Sequence, residues 1–311
     1  MEPLVAVSGT EAVQTLIDAC ALGSIYALIA VGIGLVFGVL RLINFAYGQL
    51  IMAGGYALAL TNDYDPLVSI VICFAVVLGL TMTMELVAFR PLRNASPATM
   101  LVATFAISFL LQNIALLKFG ALGKPVGTLT KLNRPISEGG QLLVRWIWIV
   151  AIIVAAVALV ALALLLSRTS IGLQMRAAAT DFRTARLLGV KANAVIASAV
   201  FLSGLLAATV SVILTIEQPF VTYDYGLRET IIVLVGVVVG GIDRLLSATL
   251  GGFAIGFATG VLGGFLPSTG AWPFTSGVYL DSALYALVIL VLLLRPSGLF
   301  APARRSAVER V

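Results

Sequence analysis

Residues 168–191 read RTSIGLQMRAAATDFRTARLLGVK, and the two runs that flank them decide the fold. Val144–Leu166 before the stretch and Val195–Ile216 after it are almost free of charge. A hydrocarbon layer about 30 Å thick is crossed by about 20 residues of helix at 1.5 Å each, so both runs are long enough to span it. Between them stand Arg168, Arg176, Arg183, Arg186 and Lys191, with Asp181 the one acid. A basic segment tied at both ends to apolar spans is held at one face of a bilayer.

The rest of the chain repeats that pattern. Of its 311 residues 60% are apolar and 11% charged, and the mean hydropathy is +1.11. A water-soluble domain carries about a quarter charged residues. The runs do not alternate as a membrane β-barrel requires. These features predict an all-α polytopic membrane protein, one domain over 1–311, with 8–10 transmembrane helices and nine as the best division. The expected spans are 12–40 (broken by Gly32, Gly34 and Gly38), 42–60, 67–88, 97–117, 144–166, 195–216, 227–241, 248–266 and 278–294. The opening MEPLVAVSGT lacks the basic region of a signal peptide. Cys20 and Cys73 lie in apolar runs and read as packing groups.

Alternating the sides of successive spans sorts the positive charge. One side collects thirteen basic residues: Arg41, Arg90, Arg93, the five of 168–191, Arg244, Arg295, Arg304, Arg305 and Arg310. The other side holds six, Lys118, Lys124, Lys131, Arg134, Arg145 and Arg228. Lys and Arg accumulate on the cytoplasmic side. The stretch 168–193 is therefore expected as a cytoplasmic loop, 301–311 as a cytoplasmic tail, and the N-terminus outside. The pI near 9.4 then reflects topology and contact with anionic membrane lipid, not nucleic acid.

Several chemistries have no residues to perform them. The chain has no histidine and no GxxxxGK[ST] phosphate loop, so it offers no HExxH zinc site and no nucleotide site of that kind. No cofactor is expected. Glu85, Lys118, Glu217 and Glu229 lie near span ends, where exposure or snorkelling accounts for them. An ion-coupled secondary transporter or channel, the alternative assignment, would ordinarily carry an acid in mid-span, and none stands out.

Two stretches do carry chemistry. In NFAYGQL, residues 44–50, Asn44, Tyr47 and Gln49 place hydrogen-bonding groups in an apolar run, and Gly48, Gly54 and Gly55 permit close backbone approach. They serve either as glue between helices or as the lining of a translocation path, where irregular backbone faces a cavity. Gly38, Arg41 and Gly48 also recur as Gly241, Arg244 and Gly251 at an offset of 203 residues, which fits either an internal repeat or chance. In the basic stretch, Thr180 can cap a helix of about eight residues that begins with Asp181 and stops at Gly189. Asp181, Ala185 and Leu188 share one stripe of it, with Arg183 and Arg186 beside them. Such a segment is either a solvated loop or a coupling helix seated on a cytoplasmic motor.

LGSIYALIAVGIGLVFGVLRLINFAYGQL (22–50), FRPLR (89–93), MRAAATDFRTARLLGVKANAVI (175–196), the Pro219 loop, VGVVVGGI (235–242), LGGFAIG (250–256) and LLLRPSGLF (292–300) occur in this order. Together they resemble the LivH-type permeases of branched-chain amino acid ABC importers. The chain departs from that pattern at Tyr47 and Gln49, where the family often has histidine and glutamate, and in GGIDRLLSATLGG (240–252). The resemblance implies a permease subunit without an ATPase site of its own, in a bacterial inner membrane. Its implied partners are cytoplasmic ABC ATPase subunits, a second permease subunit (homologous or identical), and a periplasmic or extracellular substrate-binding protein. It also implies that Thr180, Asp181, Arg183, Ala185, Arg186, Leu188 and Gly189 form the coupling helix.

Overall fold

A computed structural model describes residues 9–92, 95–127, 130–135, 144–180, 182–241, 244–265 and 280–294. Asp181, Asp243 and the tail 301–311 lie outside the described residues. The chain is a bundle of helices with one two-stranded sheet, β1 (Lys124–Pro125) antiparallel to β2 (Phe220–Val221). The expected all-α polytopic membrane fold is what is observed. Among the described residues six helices are long and apolar enough to cross a membrane. They are α1 (Gly9–Leu40), α3 (Pro66–Met84, continued by a π turn and a single turn, α4, Arg90–Leu92), α5 (Pro97–Phe119), α6 (Trp146–Arg168), α9 (Ala192–Glu217) and α11 (Leu245–Phe265). Three shorter helices, α2 (Tyr47–Leu60), α10 (Leu227–Gly240) and α12 (Leu280–Leu294), have 14, 14 and 15 residues. The basic stretch forms α7 (Ser170–Thr180) and α8 (Phe182–Leu187).

Helix starts follow their capping residues. The Asp65 carboxylate accepts the Leu67 N–H at 2.9 Å, and Ser96 accepts that of Thr99 at 3.2 Å. Each stands just before a proline at the first helical position, where a missing N–H costs nothing. Thr169 closes α6 by donating to the Leu165 carbonyl and opens α7 by accepting the Gly172 N–H at 3.1 Å.

Burial separates an inner set of helices from an outer one. In their most apolar windows α1 is 78% and α9 72% buried, against 28% for α3, 22% for α5 and 17% for α6. An apolar helix that other helices leave uncovered has lipid to face, so the outer three form the perimeter. At the centre α1 and α11 lie against each other along a row of small residues. Gly252, Gly256, Gly260 and Gly264 recur every fourth position on α11 and meet Ala30, Gly23, Ala19 and Thr15 of α1. A Cβ at Gly256 would stand 2.8 Å from the Gly23 Cα. Without water to drive helices together, this close backbone packing is what holds them.

The expected break in the first span is absent. α1 runs 32 residues without interruption through Gly32, Gly34 and Gly38. Interrupting a helix in an apolar interior strands backbone groups that nothing else can satisfy. Two of these glycines are contact points instead: Gly32 receives the Tyr47 ring and Gly34 lies against Leu245 and Ala248. The break comes later, over residues 41–46, and helix resumes only at Tyr47.

The bundle has two ends. At one, Arg41 meets Ala179 at the close of α7, and Leu245 at the start of α11 lies by Gly34. At the other, Asn62 donates to the Pro125 carbonyl (3.0 Å) and accepts the Gly127 N–H (2.8 Å). Tyr56 stacks on Phe119 there at 4.2 Å.

Candidate functional site

The bundle centres on the start of α2. α1 ends at Leu40, and the amide of the next residue, Arg41, bonds back to Phe37 (2.8 Å) while its backbone turns left-handed at φ +56°. The chain then re-enters the bundle through 42–46. The Asn44 Oδ1 accepts the Ala46 N–H at 3.0 Å, a side-chain turn that substitutes for the missing helical bond and launches α2. Two residues of α5 hold this joint from outside. Thr104 Oγ1 accepts the Phe45 N–H at 3.5 Å, while its own proton has the Leu101 carbonyl at 2.9 Å and the Ile43 carbonyl at 3.3 Å. One turn on, Ser108 accepts from Gln49 Nε2 at 3.3 Å. Phe105, between them, meets Phe45 edge-on at 5.9 Å.

Tyr47 and Gln49 are both fully buried. The Tyr47 hydroxyl and the Gln49 Oε1 have no hydrogen-bond partner among the described residues, although a buried polar group without one costs about 1–3 kcal/mol. Tyr47 reaches Gly32, eight residues, or about 12 Å, before the end of α1. The Gly32 carbonyl is taken by Ser203 of α9 at 2.8 Å.

The predicted glycines pack against neighbouring helices inside the chain. A Cβ at Gly48 would stand 2.7 Å from the Gly226 carbonyl and 2.9 Å from Thr230 Oγ1. One at Gly54 would stand 2.5 Å from the Ser211 hydroxyl, which itself donates to the Ile51 carbonyl at 2.8 Å. Gly55 lies against Val221. Since Gly226 immediately precedes α10, the two 14-residue helices begin at one point and run from it toward opposite ends. Asn44, Tyr47, Gly48, Gln49, Gly54 and Gly55 are all buried. They form the polar and close-packed centre of the single chain.

The basic segment differs from its expected form. Thr180 is itself helical, the last residue of α7, and its hydroxyl donates to the Arg176 carbonyl at 3.0 Å. Among the described residues the next helix is Phe182–Leu187. Its stop is the expected one. Gly189 is left-handed at φ +89°, and the Val190 amide reaches back to the Ala185 carbonyl at 3.1 Å, the 6→1 bond of a Schellman end. The expected stripe divides: Ala185 is 4% exposed and faces the bundle, whereas Leu187 and Leu188 are 83% and 81% exposed. Arg183 and Arg186 lie on α8, with their side chains outside what is described.

Sequence reasoning missed Arg41 as a bonding residue. Its Nη2 donates to the Ala179 carbonyl at 2.8 Å, which ties the end of α7 to the joint between α1 and α2. It also missed Thr104, Ser108, Ser203 and Ser211. The available signal was spacing: 104 and 108, and 203 and 211, are hydroxyl residues one or two helical turns apart, on one face of α5 and of α9.

The chain matches the family model described as the branched-chain amino acid transport system permease component over residues 15–294. It is 31% identical over 312 residues to the high-affinity branched-chain amino acid transport system permease protein BraD of Pseudomonas aeruginosa, covering 96% of this chain and 97% of that one. To the protein LivH of Escherichia coli K12, with the same description, it is 30% identical over 315 residues, with the same shares covered. A probable branched-chain amino acid transport permease protein LivH of Methanocaldococcus jannaschii is 27% identical over 286 residues, 89% of this chain and 88% of that one. A solved structure, PsaBC from Streptococcus pneumoniae in complex with Fab, aligns with TM-score 0.50 at 12% identity over 90% of this chain and 91% of that one. That last likeness is one of fold.

Proposed function

This chain belongs to the branched-chain amino acid transport system permease family, and from that premise we propose how it works in an ATP-driven importer. It is a permease component, not an enzyme, and a multi-pass membrane protein that acts with other components of a transport system. Two permease subunits, this one with an identical or homologous partner, form the path. A substrate-binding protein outside the cell delivers leucine, isoleucine, valine or a related small polar solute. Two ABC ATPase subunits dock on the cytoplasmic face, which is the Arg41 end: thirteen of the chain's basic residues were assigned to that side against six to the other. Closure of the ATPases presses on residues 180–190, where the exposed Leu187 and Leu188 make contact. The push tilts α6 against α9 and shifts the start of α2 toward the partner permease, which opens the path.

The observation that carries this proposal is the polar joint before α2. Unpartnered buried groups on Tyr47 and Gln49 lie in one structural unit with a hydrogen bond to the basic segment, Arg41 to Ala179. Buried polar atoms without a protein partner are a small minority in folded chains, and two of them lie together at the start of α2. The test is uptake of labelled leucine into liposomes holding the permease pair and its ATPases, with the binding protein added. ATP-dependent uptake supports the proposal. Equal uptake by the permease alone would assign the chain to the ion-coupled carriers or channels.

A further inference from the structure

We propose that Arg41 is the positioning residue through which movement of the 170–190 segment reaches the buried start of α2. The inference rests on the importer assignment above and adds to it the route of the signal.

Three observations meet at this residue. First, its guanidinium spans the gap between two elements that are 138 positions apart in the chain and bonds Ala179 at 2.8 Å. Ala179 is the last residue but one of α7, on the segment that continues into α8. A guanidinium offers five N–H donors in a planar fork, which suits it to reach a backbone carbonyl across a gap between elements.

Second, Arg41 alone among the described non-glycine residues has a positive φ. Only glycine adopts that conformation without cost, so backbone geometry argues against arginine here. The side chain supplies the reason for its presence.

Third, the segment it anchors has no slack. Within five residues of Arg41 the backbone is held by Thr104 at Phe45 and by Asn44 at Ala46. A displacement of Ala179 therefore moves Arg41, and through it the residues that set where α2 begins. Tyr47 and Gln49, with their unpartnered polar atoms, are the first residues to feel it.

Two substitutions separate side chain from backbone. Arg41→Gly removes the guanidinium and relieves the left-handed strain, and Arg41→Lys keeps a cationic donor. Both are assembled with the ATPases and binding protein in liposomes, and solute taken up is measured per ATP hydrolysed. The expected result is that Arg41→Gly assembles in wild-type yield and hydrolyses ATP, with uptake per ATP down about tenfold, the worth of one hydrogen bond from a charged donor. Arg41→Lys recovers most of the coupling. Wild-type uptake per ATP in Arg41→Gly overturns the latch alone, as does a loss confined to yield with the ratio unchanged, which would mark Arg41 as structural. A wild-type complex with no ATP-dependent uptake overturns the importer assignment, and the latch with it.

Discussion

α1 and α10 are both followed by a residue with left-handed backbone, Arg41 at φ +56° and Gly241 at φ +106°. In each case the amide of that residue bonds back one turn, to Phe37 at 2.8 Å and to Val237 at 3.1 Å. Among the described residues the two joints are surrounded differently. Before Gly241, α10 is held to α11 by backbone-on-backbone packing, with Gly240 and Gly236 pressed against Gly251. Beyond Arg41 the chain enters α2 through side-chain hydrogen bonds supplied by Asn44, Thr104 and, at the end of α7, Arg41 itself. A joint closed by packed backbone has one arrangement, because interiors at crystal-like density do not deform gradually. A joint closed by hydrogen bonds from other helices can exchange partners. The same C-terminal device thus serves as a fixed corner in one half of the chain and as a movable one in the other.

The largest effect expected is at the fixed corner. A side chain at Gly251 meets the Gly236 carbonyl and, at 2.6 Å, the Gly240 Cα. Since both are backbone, nothing can rotate aside. Gly251→Leu should cost about 3 kcal/mol or more, the upper range for overpacking, and leave little monodisperse protein after detergent extraction. Recovery of wild-type amounts with an unchanged Tm would mean that α10 and α11 can separate, and the contrast between the joints would be lost.

At the movable corner Thr104→Val keeps the shape of the side chain and removes its hydroxyl. The Phe45 amide loses its bond to α5, which should cost about 1–3 kcal/mol. The joint loosens without collapsing. Extracted protein is expected to remain folded with a lower Tm, and uptake to fall by more than the Tm change explains. A Tm loss as large as that of Gly251→Leu would make this corner as rigid as the other.

A smaller effect tests the turn residues. Gly241→Ala forces a Cβ into a positive-φ site and should lower stability by about 1–2 kcal/mol. Arg41→Gly removes a strain of the same origin, so its Tm should stay near wild type while coupling falls. If both variants lose stability equally, the two turns are equivalent and Arg41 owes its place to packing.

These contrasts also mark how far the sequence could be read. Span length and charge asymmetry identify a helical membrane bundle because bilayer thickness and backbone satisfaction leave few alternatives. Glycine misled. In water, glycines at 32, 34 and 38 suggest a broken helix. In this bundle α1 continues through them, and Gly32 and Gly34 accommodate Tyr47 and Leu245. Thr180 misled for a related reason: a hydroxyl before an acid reads as an N-cap, yet it equally well bonds the carbonyl one turn back, as it does to Arg176. The Gly189 stop was legible because positive φ is a local demand that glycine meets. The Arg41–Ala179 bond was not, since no local pattern links residues 138 positions apart.

The smallest stability effect belongs to the residue that best separates glue from path. Gln49 donates one bond, to Ser108 at 3.3 Å, while its Oε1 has no partner among the described residues. Gln49→Leu gives up that one long bond and removes an unsatisfied buried oxygen, two terms of similar size and opposite sign. Stability should therefore change by less than about 1 kcal/mol, and the Tm should hold or rise. If Gln49 only ties α2 to α5, uptake will follow the Tm and barely move. If its carbonyl oxygen is held free for a solute that passes the start of α2 when the joint opens, uptake falls about tenfold in a protein as stable as the wild type. The movable corner then differs from the fixed one in purpose as well as in construction, because polar atoms left unpaired at Gln49 and Tyr47 would be bonded only in the open state.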